Sequence, residues 1–324
     1  MRIQYLPIVA ACLYSAIALS QQSPDGKGQP VKPFVAVSDP WPLVDLNVLV
    51  LDKEKTPHPE TDAAQFRVLE DGAPQTILSL SGAEAPVSLG LVLDFSGSTC
   101  PQKQEGKRPC ASYSPILNSL PELTASLPAG SEVMVATFAD QAFLDMNFAP
   151  AEHFDLHVLD KLHAGGGTAF YDALVAAEDY FAKHAKFKRR AIVVVSDGED
   201  NASKLDLAQA IQRISCASAP LLYAINTAGE HQEDLSLAEW RHSGRALGLL
   251  VKAAGGMVIP AYGKKRAPAG IEQTANAIRA QVSVQYSSTN AVGNATIRKP
   301  AVTMPTATDK LEIRYEKQFS PPVR

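Results

Sequence analysis

The chain has 324 residues, 46% of them hydrophobic and 20% charged, with a formal net charge of −4 at pH 7. That is a globular composition, long enough for one large domain and a smaller one. With no basic excess to meet phosphates, the charge argues against a nucleic-acid partner.

The N-terminus reads as an export signal over 1–20. Met1-Arg2 is a short basic start, 6–19 is apolar apart from Tyr14 and Ser15, and Ala18-Leu19-Ser20 places small residues before Gln21. Cleavage there predicts an exported protein: periplasmic, held in the cell envelope, or secreted. The stretch is short for a membrane span, and no later segment is apolar for long enough, so no transmembrane span is expected after cleavage. Val9-Ala10-Ala11-Cys12 has a lipobox-like look and leaves lipidation of Cys12 as an alternative, although the apolar run continues past it.

Residues 21–33 are rich in Gln, Ser, Pro, Gly and Lys and read as a disordered linker. A small β-element is expected over 34–84. Its strands fall at 44–51, 66–70 and 75–80, with Asp71-Gly72 as the turn between the last two. Such a unit is too small to bury a core by itself and should pack on something.

From residue 87 strands and helices alternate. Strands are expected at 87–93, 132–138, 191–195, 221–225 and 257–259, with a short edge strand at 142–148. Helices are expected at 151–162, 169–185, 205–216, 245–253 and 268–281. Alternation of this kind predicts an α/β domain over 85–281: a doubly wound, mainly parallel sheet with helices on both faces. The tail, 282–324, returns to strand-like runs at 282–286 and 311–315, which are expected to pack with the N-terminal β-element.

Three strand-end loops carry chemistry. The run Asp94-Phe95-Ser96-Gly97-Ser98 follows a buried strand and puts one carboxylate and two hydroxyls on a tight turn. Ala164-Gly165-Gly166-Gly167-Thr168 precedes a helix and offers a third hydroxyl from a turn where glycine permits close backbone approach. Ser196-Asp197-Gly198-Glu199-Asp200 follows another strand and offers a second carboxylate. In a doubly wound sheet such loops converge at the carboxyl ends of the strands. Hard oxygen donors suit Mg²⁺ or Mn²⁺ rather than zinc. Ser and Thr at strand-to-helix turns also serve as N-caps, but capping does not require both aspartates.

Asp94-x-Ser96-x-Ser98, Gly167-Thr168 and Ser196-Asp197-Gly198, in that order, resemble the metal-ion-dependent adhesion site of the von Willebrand factor type A domain family. The resemblance covers about 87–280. The stretch Phe66-Arg67-Val68-Leu69-Glu70-Asp71-Gly72 looks like the flank of exported bacterial proteins related to that family. The resemblance implies that Ser96, Ser98 and Thr168 ligate Mg²⁺ or Mn²⁺ through hydroxyls. It implies that Asp94 and Asp197 act directly or through water. The remaining position would go to water or to a Glu or Asp carboxylate of a protein partner. A cation held mainly by neutral hydroxyls stays under-neutralised, which favours an anionic last ligand. A hydrolase using the same metal to activate water, and an envelope protein with a vestigial site, stand as alternatives.

Cys100 and Cys110 bracket a polar loop carrying Lys103, Lys107 and Arg108 beside the metal turn. In an oxidising compartment they are expected to bridge, stabilising the fold by about 2–3 kcal/mol. The loop would either shape partner choice, occlude the site, or be a solvated insert. Cys216 reads as an inert core thiol on an apolar helix face. His153 and His157, four apart on the expected helix, with His163 beyond, have no third zinc ligand placed by spacing and read as a solvated face. The basic run Lys183, Lys186, Lys188, Arg189 and Arg190 reads as charges favouring a helix C-terminus. Trp41 and Trp240 are expected in loops. No nucleophile elbow, zinc-protease or phosphate-loop motif occurs, so no enzyme activity is expected.

Overall fold

The computed structural model describes residues 43–59, 62–100, 114–159, 165–215, 218–227, 237–261, 266–290, 297–305 and 311–319. The export signal, the 21–33 linker, Trp41, the loop basic residues, Cys110, His163 and Cys216 lie outside them.

The elements in chain order begin with strands β1 (Leu43–Leu51), β2 (Arg67–Glu70), β3 (Ala73–Ser81) and β4 (Val87–Asp94). Helix α1 (Ser114–Ala125), β5 (Glu132–Phe138), β6 (Ala142–Pro150), α2 (Phe170–His184) and β7 (Arg189–Ser196) follow. Then come α3 (Leu207–Ile214), β8 (Leu221–Asn226), α4 (Leu237–Ala254), β9 (Gly256–Pro260) and α5 (Ala267–Ala280). The described chain closes with β10 (Val282–Ser287), β11 (Pro300–Thr303) and β12 (Glu312–Tyr315).

Six strands form a mainly parallel sheet in the order β6-β5-β4-β7-β8-β9, with β6 antiparallel at one edge. Every residue of β4 and β5 is buried, as two-sided coverage by helices requires. Leu91, Leu93, Val193 and Val195 point to the face under α1 and α5, where Ile116, Leu120, Ile271 and Ile278 pack. Val92, Ile192 and Val194 point to the opposite face, under Phe170, Leu174, Phe181, Leu247 and Leu250 of α2 and α4. Gly90 lets α2 sit close: a Cβ there would meet the Phe181 ring at 2.6 Å. From β4 the chain moves outward to β5 and β6, then returns to β7 on the other side of β4 and continues to β9. The direction of winding therefore reverses beside β4, the position where open α/β sheets form a crevice at the strand ends.

The other sheet is antiparallel, in the order β11-β2-β3-β10-β1-β12. Val44, Leu46, Val48 and Val50 of β1 face its own core with Phe66, Val284 and Tyr286. Leu49 and Leu51, on the alternate face, belong to the core under α5. One strand thus serves both cores, which ties the antiparallel sheet to the mainly parallel one.

Three local expectations are corrected. The helix expected over 151–162 is two 3₁₀ turns, Ala151–His153 and Leu156–Leu159. Phe154 is extended, and the Asp155 carboxylate accepts the His157 N–H at 2.9 Å, so a local side-chain bond replaces the helical one. His153 and His157 therefore do not share an α-helical face. Trp240 lies within α4 rather than in a loop. Helix α1 stands where the sequence pattern predicts none: Pro121 lies inside it, although Ile116, Leu120 and Leu123 make one buried face.

Candidate metal centre

The site grows out of the ends of β4 and β7. Asp94 is the last residue of β4 and is fully buried. Its Oδ1 accepts the Ser96 N–H at 2.9 Å, which folds the chain back into a tight turn. Its Oδ2 accepts the Ser196 hydroxyl at 2.7 Å, from the last residue of β7. Ser196 in turn accepts the Gly198 N–H at 3.0 Å, and the Asp197 Oδ1 accepts the Glu199 N–H at 3.0 Å. The same kind of side-chain-closed turn is thus built at both strand ends.

The hydroxyls join the two turns. Ser96 Oγ lies 3.2 Å from Ser98 Oγ, and Ser98 Oγ donates to Asp197 Oδ2 at 3.4 Å. Four of the five sequence-selected residues, Asp94, Ser96, Ser98 and Asp197, therefore form one connected cluster. Ser96 is fully buried and Asp197 is 9% exposed.

The fifth, Thr168, arrives on the glycine loop and is 2% exposed. That loop is bonded to the Asp94 turn at two points: Gly165 N–H donates to Phe95 O at 2.8 Å, and Gly97 N–H donates to Gly166 O at 3.0 Å. The approach needs glycine. A Cβ on Gly97 would lie 3.0 Å from Gly166 O, and Gly166 has φ +91°. Three loops from distant parts of the chain thus meet at one edge of the sheet.

The electrostatics are lopsided. Burial, then the neighbouring Asp197 carboxylate, raise the Asp94 pKa from 3.8 to about 6, against the lowering pull of its hydrogen bonds from Ser96 and Ser196. Among the described residues no lysine, arginine or histidine pairs with either carboxylate; their partners are hydroxyls and backbone N–H groups. Two carboxylates and three hydroxyls with no counter-charge make a donor set that fits a hard divalent cation. No group of three or more His, Cys, Asp or Glu gathers anywhere among the described residues, this edge included, so the donor set here rests on two carboxylates and on hydroxyls.

Sequence reasoning missed three residues that shape this edge. Ser196 stands inside the quoted Ser196-Asp197-Gly198 run, but its bond to Asp94 needs β4 and β7 to be neighbours, which they are. Asn201 holds Thr168 from both sides: its Oδ1 accepts the Thr168 N–H at 2.8 Å and its own N–H donates to Thr168 O at 3.0 Å. Asp140, two residues past β5, accepts the Gly167 N–H at 2.5 Å. A carboxylate just beyond a third strand end was a readable signal.

The chain matches no family model and no curated protein. Solved structures similar to it include von Willebrand factor type A proteins. A von Willebrand factor type A protein from Catenulispora acidiphila is 12% identical, with a TM-score of 0.43 over 86% of this chain and 74% of that one. The conserved hypothetical protein BatB from Bacteroides thetaiotaomicron is 20% identical, with a TM-score of 0.32 over 43% of this chain and 66% of that one. Proximal thread matrix protein 1 from the mussel byssus, whose structure has a zinc-occupied MIDAS motif, is 14% identical, with a TM-score of 0.44 over 62% of this chain. The alignment spans 47% of the byssus protein and 66% of BatB, less than two thirds of each.

Proposed function

We propose that this chain is an exported, metal-dependent protein-binding module of the adhesion type. Asp94, Ser96, Ser98, Thr168 and Asp197 would hold Mg²⁺ or Mn²⁺. The cation would supply an open coordination position for a Glu or Asp carboxylate of a protein partner. The observation that carries this reading is the pair of buried carboxylates, Asp94 and Asp197, brought together from two strand ends with only neutral donors around them. Leaving Asp94 charged in that setting is costly, as its raised pKa records, and a divalent cation offsets the cost. The hydroxyls of Ser96, Ser98 and Thr168 are neutral, so the bound ion would keep residual positive charge toward solvent and favour an anionic ligand. No helix among the described residues is long and apolar enough to cross a membrane.

The test is calorimetric titration of the full chain with Mg²⁺ and with Mn²⁺, followed by thermal melts. Saturation at about 100 times Kd should add about 2.7 kcal/mol of stability, and Asp94→Ala should abolish both signals. A pull-down from an envelope extract should retain a protein partner in Mg²⁺ and lose it in EDTA. Absence of metal binding would overturn the reading in favour of a vestigial site. Turnover of phosphoesters or peptides that depends on Mn²⁺ would replace it with a hydrolase.

A further inference from the structure

The glycine loop that delivers Thr168 is held residue by residue from outside. Gly165 N–H donates to Phe95 O, from the turn after β4, and Gly166 O accepts from Gly97 N–H of the same turn. Gly167 N–H donates to the Asp140 carboxylate, from the loop after β5. Thr168 N–H donates to the Asn201 side-chain oxygen, from the loop after β7, and Thr168 O accepts the N–H of Asn201 and of Ala202. Three strand-end loops thus grip four consecutive residues.

The grip is also steric. A Cβ on Gly167 would lie 2.9 Å from Asn201 Oδ1 and 2.9 Å from Asp140 Oδ1, and 3.0 Å from the Ala202 Cβ. Gly167 is therefore pinched between the two side chains that bond its neighbourhood. Asp200 and Ser203 extend the hold to α2: Asp200 Oδ2 accepts the Tyr171 N–H at 2.9 Å, and Ser203 Oγ accepts the Asp172 N–H at 3.0 Å. The first turn of α2 starts two residues after Thr168, so the same loop fixes both the residue and the helix it enters.

We infer that Asn201 and Asp140 are positioning residues for the metal centre, a pair of clamps that hold the Thr168 backbone where its hydroxyl can serve the ion. Neither bonds to Asp94, Ser96, Ser98 or Asp197. They act through the loop, as outer partners orient the first ligands of metal sites in general. Asp140 works by its acceptor oxygen, not by its charge. The inference rests on the metal-binding reading above and adds two residues that the sequence pattern did not mark.

The test is Mn²⁺ calorimetry on the full chain, with Mn²⁺ alone as the probe, for the wild type and a double-mutant cycle. Asn201→Ala should weaken Mn²⁺ binding about tenfold, within the range seen for outer-shell substitutions. Asp140→Ala should weaken it similarly, while Asp140→Asn, which keeps the acceptor and removes the charge, should restore it. Thr168→Ala removes the hydroxyl itself, and adding Asn201→Ala to it should cost nothing further, because a clamp has no role once its ligand is gone. Additive losses in that cycle, or an Asp140→Asn variant as weak as Asp140→Ala, would overturn the inference while leaving the metal site intact. A wild type that binds no Mn²⁺ would instead bring down the metal-binding reading itself, and the clamps with it. Circular dichroism and urea midpoints for each variant separate a lost clamp from a lost fold.

Discussion

Strands β4 and β7 lie side by side, and their two ends are electrostatic opposites. At the carboxyl ends, Asp94 and Asp197 are buried carboxylates with no cationic partner among the described residues. At the amino end of β7, Arg189 is a buried cation, fully enclosed and in no salt bridge among the described residues, although the Glu84 carboxylate supports its charge from further off. About seven residues, roughly 23 Å of strand, separate them. Arg189 is satisfied nonetheless. Its guanidinium donates to the carbonyls of Ala83, Ala85, Ile278, Arg279 and Gln281, the last three at 2.7–3.1 Å. Those carbonyls sit on the two connections between the sheets, the link from β3 to β4 and the end of α5 before β10. Burial lowers the Arg189 pKa to about 10, which still leaves it charged at neutral pH.

The comparison teaches how a buried charge satisfied within the fold differs from one left without a counter-charge. Arg189 has a partner for its donors and closes a junction; nothing is left for a ligand to do. Around it, Gln281 donates to Asn47 and to Arg190 O, Tyr223 donates to Gln281, and Asn47 donates to Ala219 O, a connected polar network at the junction. At the opposite end the hydrogen bonds satisfy the geometry of the carboxylates but not their charge. That residual is what a cation would fill.

The largest expected effect breaks the satisfied end. Arg189→Met strands several buried carbonyls and should destabilise the chain by about 3 kcal/mol or more, read by urea denaturation at pH 7. A loss below about 1 kcal/mol would mean that water replaces the guanidinium and the contrast is overstated.

The next effect sharpens the unsatisfied end. With its pKa raised from 3.8 to about 6, Asp94 is protonated more readily in the folded than in the unfolded chain. Between about pH 4 and pH 6 the folded state binds the extra proton, so its contribution to stability falls as pH rises and then levels off. The full drop is about 3 kcal/mol. In EDTA, Asp94→Asn should therefore gain on the wild type through that window and exceed it in stability at pH 7, while losing metal binding. Equal urea midpoints for the two proteins from pH 4 to pH 7 would refute the uncompensated charge.

Gly166→Ala should cost about 1–2 kcal/mol, because φ is +91° and the new Cβ would press on the Asp140 carboxylate. It should also weaken Mn²⁺ binding; a thermal melt and a titration on the same sample check both. The smallest effect is Tyr223→Phe, which removes one hydrogen bond to Gln281 and should cost about 1 kcal/mol in a urea melt, with metal affinity unchanged.

Much of the architecture was readable because its signals are local. The largely apolar run ending at Asp94 and the β-branched run 191–195 identified buried strands, and the period of Phe170, Leu174, Ala177 and Phe181 identified α2. The strand at 132–138 coincides with β5. Helix α1 was not readable, since Pro121 lies inside it, and its apolar face gains its value only from packing in the core it shares with α5. Arg189 was misread for a related reason. Its basic neighbours suggested charges at a helix end, yet it opens a strand and is buried, because the carbonyls that hold it come from segments some 90 to 106 residues away.

The sequence by itself determined which residues could form strands and helices, and which loops carry carboxylates and hydroxyls, because periodicity and turn chemistry act over a few residues. Only the tertiary structure decided that β4 and β7 are neighbours, that Ser196 reaches Asp94, that Asp140 and Asn201 grip the Thr168 loop, and that Arg189 closes the junction between the sheets. Those pairings depend on strand order and on contacts between distant segments, and a linear pattern does not encode which buried edge will meet which.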